Sequence, residues 1–258
     1  MELKLPVPAL LFALLLARGA FPGEPGWSDH EREEFLRTAD TVRVRPAGGG
    51  STGSMRVTLR RGGVTADAHV QTIDVRGSLA KDVLHLEPGF TDSYRYNVAA
   101  YLLDRLLGFG MVPVAVEREF RGKKASYSWW LENTQTEAQR FLNRKRPPDM
   151  EAWRRQMAKV SVFDFLIANT DRNRSNLLID RQWKVWMIDH TRAFRTTAAA
   201  VFPAGADPCD GELRAALLRA SPEAVRESLS PWMAEEQIQA LLERRQILLN
   251  ACEGAHTR

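Results

Sequence analysis

Apolar residues recur at a period of two in the first half of the chain and at a period of three to four in the second. Residues 41–45 (TVRVR) and 55–60 (MRVTLR) alternate apolar and polar side chains, the pattern of half-buried strands. A third strand is expected over 64–73. Over 92–107, Tyr94, Val98, Tyr101, Leu102 and Leu106 fall at helical spacing, and Gly108 stands where a C-terminal cap belongs. Two more strand patterns, 112–119 and 125–131, flank a turn at 121–124 (RGKK). This order of elements predicts a small antiparallel sheet with one helix laid on it.

Beyond residue 133 the pattern becomes helical. Asp149 is the expected N-cap of a helix reaching to about Asn169, with Trp153, Met157, Val160, Phe163 and Leu166 as its apolar set. Two short apolar runs, 177–179 and 183–188, read as a hairpin. Helical patterns return at 211–219, 222–228 and 234–250, the second opened by Ser221 before Pro222. The fold class is α+β: residues 40–132 form a small sheet-bearing part and 133–252 a larger helical part. Residues 20–39 are a linker running into a short helix at 28–37, capped by Ser28.

The N-terminus adds a possible address. Lys4 precedes an apolar run at 5–16, then Ala17 and Gly19 place small residues at the positions a signal peptidase reads. A run this short falls below the roughly 20 residues a membrane helix needs, so 1–19 reads as a cleaved secretory signal, the alternative being a core or amphipathic helix. Export to a secretory lumen, periplasm or extracellular space follows, with no transmembrane span in the mature chain. The net charge of +4 and the absence of long basic runs argue against nucleic-acid binding. Arg140, Arg144, Lys145 and Arg146 read as a solvated helix end. Two cysteines, Cys209 and Cys252, do not make a disulfide framework.

Chemistry concentrates in 163–194. A polar loop carries Asp171 and Asn176, and the hairpin's second strand delivers Asp189. An Asp and an Asn after a helix are ordinary turn formers, but here a helix, a hairpin and a further Asp at a strand end surround them. Phosphoryl transfer needs an oriented hydroxyl and metal to spread phosphate charge. Asp171 suits the proton acceptor, and Asn176 and Asp189 offer hard oxygens to Mg²⁺ or Mn²⁺. The glycine-rich turn at 46–54, with Gly49, Gly50 and Gly53, taken alone reads as a flexible surface hairpin, and as a turn over phosphates it would let backbone amides approach closely. His190 reads as a structural residue, the alternative being a donor that orients Asp189. Arg172 and Arg174 read either as solvated loop arginines or as groups that meet an acidic substrate or phosphate. Trp129 and Trp130 are expected as core packing residues where the chain passes between the two parts, the alternative being that one of them packs against an adenine ring.

The segments NTDRNRSNLLID and VWMIDHTRAF resemble the catalytic and metal-binding segments of the lipid-kinase branch of the kinase-like superfamily, nearest type II phosphatidylinositol 4-kinases and secretory-pathway kinases of the Golgi casein kinase type. QIQALLERRQILLN and SYRYNVAAYLLDRLLGFGMVPVAVER extend the resemblance over about 40–250. It implies a two-lobed protein-kinase-like fold that binds ATP between the lobes, with Asp171 as catalytic base and Asn176 and Asp189 as metal ligands. The acceptor would be a hydroxyl-bearing substrate: protein, sugar or inositol lipid.

One part of the pattern is broken. Such folds hold phosphates with a strand lysine, which is held in turn by a helix glutamate. Gln71 and Asn97 stand at those positions. Two amides can hydrogen-bond each other, whereas losing one member of an ion pair strands a charge. Arg76, Lys81 and Arg95 are the candidate replacement cations. Three readings follow: a metal-dependent kinase, a pseudokinase that binds nucleotide or a partner, and an adaptor with a kinase-like shell.

Overall fold

A computed structural model describes residues 26–48, 53–76, 91–196, 207 and 210–255. The expected signal at 1–19, Gly49, Gly50, Lys81, Cys209 and the side chains of Arg76 and Cys252 lie outside the described residues.

Helix α1 (Asp29–Thr38) opens on a capping box between Ser28 and Glu31 and buries Phe35 and Leu36. Strands β1 (Asp40–Pro46), β2 (Met55–Arg61) and β3 (Val64–Gln71) follow as antiparallel neighbours. The sheet is completed by β6 (Ala115–Phe120) and β7 (Lys123–Trp129), in the order β1-β2-β3-β7-β6. Register gives its two faces different characters. Val57, Ala68, Trp129 and their cross-strand partners make an apolar face, on which Phe35 packs against Trp129 at 6.0 Å and Trp27 against Trp129 at 5.9 Å. Arg45, Arg56, Asp67, His69, Gln71, Ser126 and Ser128 share the other face.

Two expectations need adjustment. The turn between β6 and β7 is only Arg121 and Gly122, both in the left-handed region (φ 52° and 78°), so Lys123 and Lys124 belong to the strand. The helix expected over 92–107 begins at Arg95: α2 runs Arg95–Leu107. Thr91–Ser93 is instead a short strand, β5, paired with β4 (Asp74–Arg76). Periodicity missed this ribbon because three residues are too few to show a period. The backbone N–H of Ser93 is drawn away from the helix by Thr191 O at 2.8 Å. Helix α2 ends as expected at Gly108, whose φ of +70° suits a residue without Cβ.

The larger lobe contains a three-stranded sheet, β10-β9-β8, from β8 (Gln135–Thr136), β9 (Leu177–Ile179) and β10 (Val185–Met187). Its helices are α3 (Glu137–Leu142), α4 (Met150–Leu166), α5 (Gly211–Arg219), α6 (Pro222–Leu229) and α7 (Glu235–Ala255). Asp149 caps α4 by accepting from Glu151 N and Ala152 N, both at 2.9 Å. Buried arginines tie α7 to its neighbours. Arg244 donates to Leu166 O at 2.7 Å, and Arg245 to Leu217 O at 2.8 Å. Burial pushes the Arg244 guanidinium down to about 10. No described helix is long and apolar enough to cross a membrane.

The lobes meet through α2. Arg95 donates to Trp232 O at 3.1 Å and to Pro231 O, and Gln237 Nε2 donates to the Tyr96 hydroxyl at 2.8 Å. Arg95 is thereby spent on tying α2 to the loop between α6 and α7, which removes it as a phosphate-directed cation.

Candidate phosphoryl-transfer site

After α4 the chain reverses at Ala168, whose φ is +46°, and enters the loop holding Asp171 and Asn176. The loop is closed by its own polar side chains. Asn169 Oδ1 accepts from Asp171 N at 3.1 Å, Asn173 Oδ1 from Ser175 N at 2.8 Å, and Asn176 Nδ2 donates to Asp171 O at 3.4 Å. These are the Asx-type bonds expected of a turn.

What converts a turn into a rigid platform is Arg172, whose side chain is only 10% exposed. Its guanidinium takes both carboxylate oxygens of Asp164 on α4, at 2.9 and 3.0 Å. The remaining fork reaches Ile188 O at 2.6 Å and Asn176 O at 3.1 Å. One side chain thus joins helix, loop and the end of β10. Arg172 is therefore a structural clamp and is not placed to greet a substrate; Arg174 stacks on Phe141 at 3.8 Å.

The segment after β10 is held residue by residue from different elements. Met187 N donates to Met111 O at 2.8 Å, Ile188 N to Asn176 O at 3.1 Å, His190 N to Asn97 Oδ1 at 3.0 Å, and Ser93 N donates to Thr191 O at 2.8 Å. Asp189 lies at the centre of this stitching with φ +58°, a left-handed conformation maintained by its surroundings. Its carboxylate is exposed and accepts from Thr191 Oγ1 at 3.3 Å. Asp171 is also open, its side chain 50% exposed, so a hydroxyl has access to it. Backbone contacts therefore bring Asp171, Asn176 and Asp189 to one place.

The small lobe contributes Asn97, which is buried and bonded at both ends of its amide. Its Nδ2 donates to Ser126 Oγ at 3.2 Å while its Oδ1 holds His190 N. Gln71 is also buried, and its Oε1 accepts from Thr72 N at 2.8 Å and Ile73 N at 3.1 Å. The mutual amide pair expected of Gln71 and Asn97 is replaced by these bonds, because each amide meets a nearer backbone donor. Ser126 nevertheless sits opposite Gln71 in the ladder, so both amides border the same spot. Gly53 ends the β1–β2 turn with φ +66° and open space around it.

His190 does not orient Asp189. Its ring is buried edge-on to Phe163 at 5.8 Å, and its Nε2 has no partner among the described residues. Burial, assisted by the Arg172 charge, holds this imidazole well below its ordinary range and keeps it neutral. Trp129 packs in the core as expected, whereas the Trp130 face is covered by the Arg56 guanidinium at 4.1 Å.

Three groups near the centre carry no motif in the sequence. Asp92, buried on β5, accepts from Arg192 Nε at 3.0 Å. Arg192 Nη1 donates to Asp171 Oδ2 at 3.3 Å, and the Asp92 hydrogen bond, with the Asp171 and Asp189 charges, raises its pKa. His69, on the polar face of β3, is held below its ordinary range by burial, partly offset by the Asp189 charge. Asp92 was concealed within the expected helix, and Arg192 and His69 come near the site only through folding.

The oxygens of Asp171, Asn176 and Asp189 are hard donors that fit Mg²⁺ or Mn²⁺ better than a thiophilic metal. Among the described residues no group of three His, Cys, Asp or Glu side chains forms a ready cage. A magnesium site of this kind takes one or two protein carboxylates and is completed by substrate phosphates, so the donor set fits.

Comparison with known proteins bears on the fold and the family likeness. The family described as phosphatidylinositol 3- and 4-kinase matches residues 91–215. The Golgi casein kinase structure superposes with a TM-score of 0.64 at 14% identity, covering 87% of this chain and 74% of that one. Hydra Fam20 with sugar gives 0.65 at 14% identity, covering 87% and 88%. The Helicobacter pylori proinflammatory kinase CtkA gives 0.55 at 12% identity, covering 86% and 97%. A Golgi casein kinase structure with Mn/ADP bound also matches at 0.64 and 14% identity, over 87% of this chain and 75% of that one. No curated protein sequence matches significantly. The fold is the two-lobed kinase-like fold, and the chain resembles Fam20-type kinases.

Proposed function

We propose that this chain binds ATP with Mg²⁺ or Mn²⁺ between its lobes and transfers the terminal phosphoryl group to a hydroxyl. The observation that carries the reading is the Arg172 clamp, which makes one rigid unit of the elements bearing Asp171, Asn176 and Asp189. In the transfer, an acceptor oxygen bonds to the γ-phosphorus, the β–γ bridging P–O bond breaks, and ADP leaves with its electron pair. Asp171 takes the hydroxyl proton. Asn176 and Asp189 would hold the metal, which when bound neutralises phosphate charge. From its sequence, the glycine-rich segment with Gly49, Gly50 and Gly53 would offer backbone amides to the phosphates, and Gln71 and Asn97 stand where a Lys–Glu pair usually serves.

The matched family and the fold neighbours support a kinase-like phosphotransferase acting on protein, sugar or inositol lipid. Likeness to a Golgi enzyme is consistent with export through the signal at 1–19. We divide the lobes near residue 133.

A pseudokinase is the second reading. It is favoured by Asn97 and Gln71, neutral amides already committed to protein donors and acceptors. Thermal unfolding with ATP or ADP, with and without Mn²⁺, tests the common premise. A ligand at a hundred times its Kd stabilises by about 2.7 kcal/mol, or roughly 5–10 °C for a chain this size. The shift should need Mn²⁺ and vanish in Asp189→Ala; no shift under any condition excludes both readings. ATP turnover then separates them: loss of measurable turnover in Asp171→Ala supports the kinase, and turnover only in Gln71→Lys/Asn97→Glu supports the pseudokinase.

A further inference from the structure

Among the described residues the strand lysine's place holds no cation, and of the candidates named above Lys81 and the Arg76 side chain lie outside the described residues. Gln71 and Asn97 are neutral, Arg95 is bonded to large-lobe carbonyls, Arg172 is consumed by Asp164 and two carbonyls, and Arg174 stacks on Phe141. Arg45 and Arg56 are both paired with Asp67 on the polar sheet face. Arg192 differs from all of these, because its guanidinium is bonded to Asp171 and acted on by the charge of Asp189.

We propose that Arg192 is the phosphate-binding cation of this site, contacting the terminal phosphate of the nucleotide in place of the missing strand lysine. The inference rests on the nucleotide-binding reading above. Its geometry is that of a cation mounted from behind. Asp92, 3% exposed on its side chain, grips Nε at 3.0 Å and sits on β5, whose neighbour Ser93 donates to Thr191 O. This anchorage aims the Nη end of the fork at the reaction centre, where it meets Asp171 at 3.3 Å. A guanidinium presents five donors in a fixed plane, so Nε can stay with Asp92 while Nη1 changes partner.

A terminal phosphate carries more charge than Asp171 and presents several oxygens, and charge-assisted bonds from a guanidinium to phosphate are strong. When the nucleotide arrives, Arg192 turns Nη1 from Asp171 to the phosphate. That step also frees the Asp171 oxygen for the acceptor hydroxyl. In the ligand-free chain Asp171 therefore acts as a placeholder, with the cation held on the proton acceptor until substrate replaces it.

The test is calorimetric titration of Mn·ATP and Mn·ADP into wild type, Arg192→Gln, Arg192→Lys and Arg174→Gln, each checked for folding by circular dichroism. Arg174→Gln removes the same charge from an arginine stacked on Phe141 and serves as the control. A cation on the terminal phosphate predicts that Arg192→Gln weakens Mn·ATP at least tenfold and Mn·ADP less than threefold. Arg192→Lys should fall between wild type and Arg192→Gln for Mn·ATP, and Arg174→Gln should match wild type. If Arg192→Gln does not fold, Arg192→Lys carries the test, because it keeps the charge and loses the fork. Equal weakening of the two nucleotides, or none, overturns the proposal and leaves Arg192 as a structural link. Wild type that binds neither nucleotide overturns the proposed function itself, a distinguishable result.

Discussion

Arg172→Ala should unfold the site before it affects any chemistry. The substitution removes a guanidinium that satisfies Asp164 bidentately and gives hydrogen bonds to two carbonyls. Breaking one member of a buried ion pair costs about 3–5 kcal/mol because the partner charge is stranded. With Asp164 and Arg172 still 13% and 10% exposed, water relieves part of that charge, and the lower end, about 3 kcal/mol, applies. Asn176 O retains Ile188 N as a donor, so only Ile188 O loses its described partner, adding about 1 kcal/mol. A total of about 4 kcal/mol corresponds to a fall in Tm of roughly 8–16 °C. Differential scanning calorimetry of wild type, Arg172→Ala, Asp164→Ala and the double mutant measures both the loss and the coupling. The double mutant should recover about 2 kcal/mol relative to the sum of the singles. Swapping the pair for Asp164→Leu/Arg172→Met should restore most of the stability but abolish any metal-dependent ATP shift. A Tm within about 2 °C of wild type for Arg172→Ala would refute the clamp.

Other sites give independent checks. Burial raises the Asp67 carboxyl, but hydrogen bonds from Thr58 and Arg56 and the charges of Arg56 and Arg45 outweigh it and hold the group below its usual range. Its folded pKa lies below the unfolded value, so its stabilisation is present above about pH 4 and disappears as pH falls through the folded pKa. Asp67→Asn should therefore cost about 1–3 kcal/mol at pH 7 and progressively less in acid, read from urea denaturation across pH. Asn97→Leu leaves Ser126 Oγ and His190 N without their partner and should cost about 1–3 kcal/mol. Hydrogen exchange at His190 N should quicken along with it; unchanged exchange would mean that α2 does not hold this segment. Gly108→Ala combines a φ of +70° with a Cβ only 2.9 Å from Arg219 Nη2. A loss of about 1–2 kcal/mol should appear in thermal melts, and a neutral result would show that Arg219 can move aside.

Most of the elements were legible in the sequence because each carries a local signal. Alternation marked β1 to β3, while Ser28, Asp149 and Ser221 marked helix starts at which their side chains do accept the first-turn N–H groups. Gly108 marked a helix end. The β4–β5 ribbon and β8 were invisible because two or three residues cannot display a period, and they exist only through pairing with distant partners.

For the candidate site, the sequence by itself determined the residue types: two carboxylates and an amide on a loop and a hairpin, with Gln71 and Asn97 where charges are usual. Only the tertiary structure decided which arginine does what. Arg172 and Arg192 look alike in the sequence, both next to loop polar residues, yet one is enclosed by Asp164 and carbonyls while the other bridges Asp92 and Asp171. The physical reason is that a local pattern encodes backbone conformation and burial, whereas a long side chain's role depends on the charges that folding brings within its reach. Asp92 is 100 positions from Arg192 in the chain and 3.0 Å from it in space.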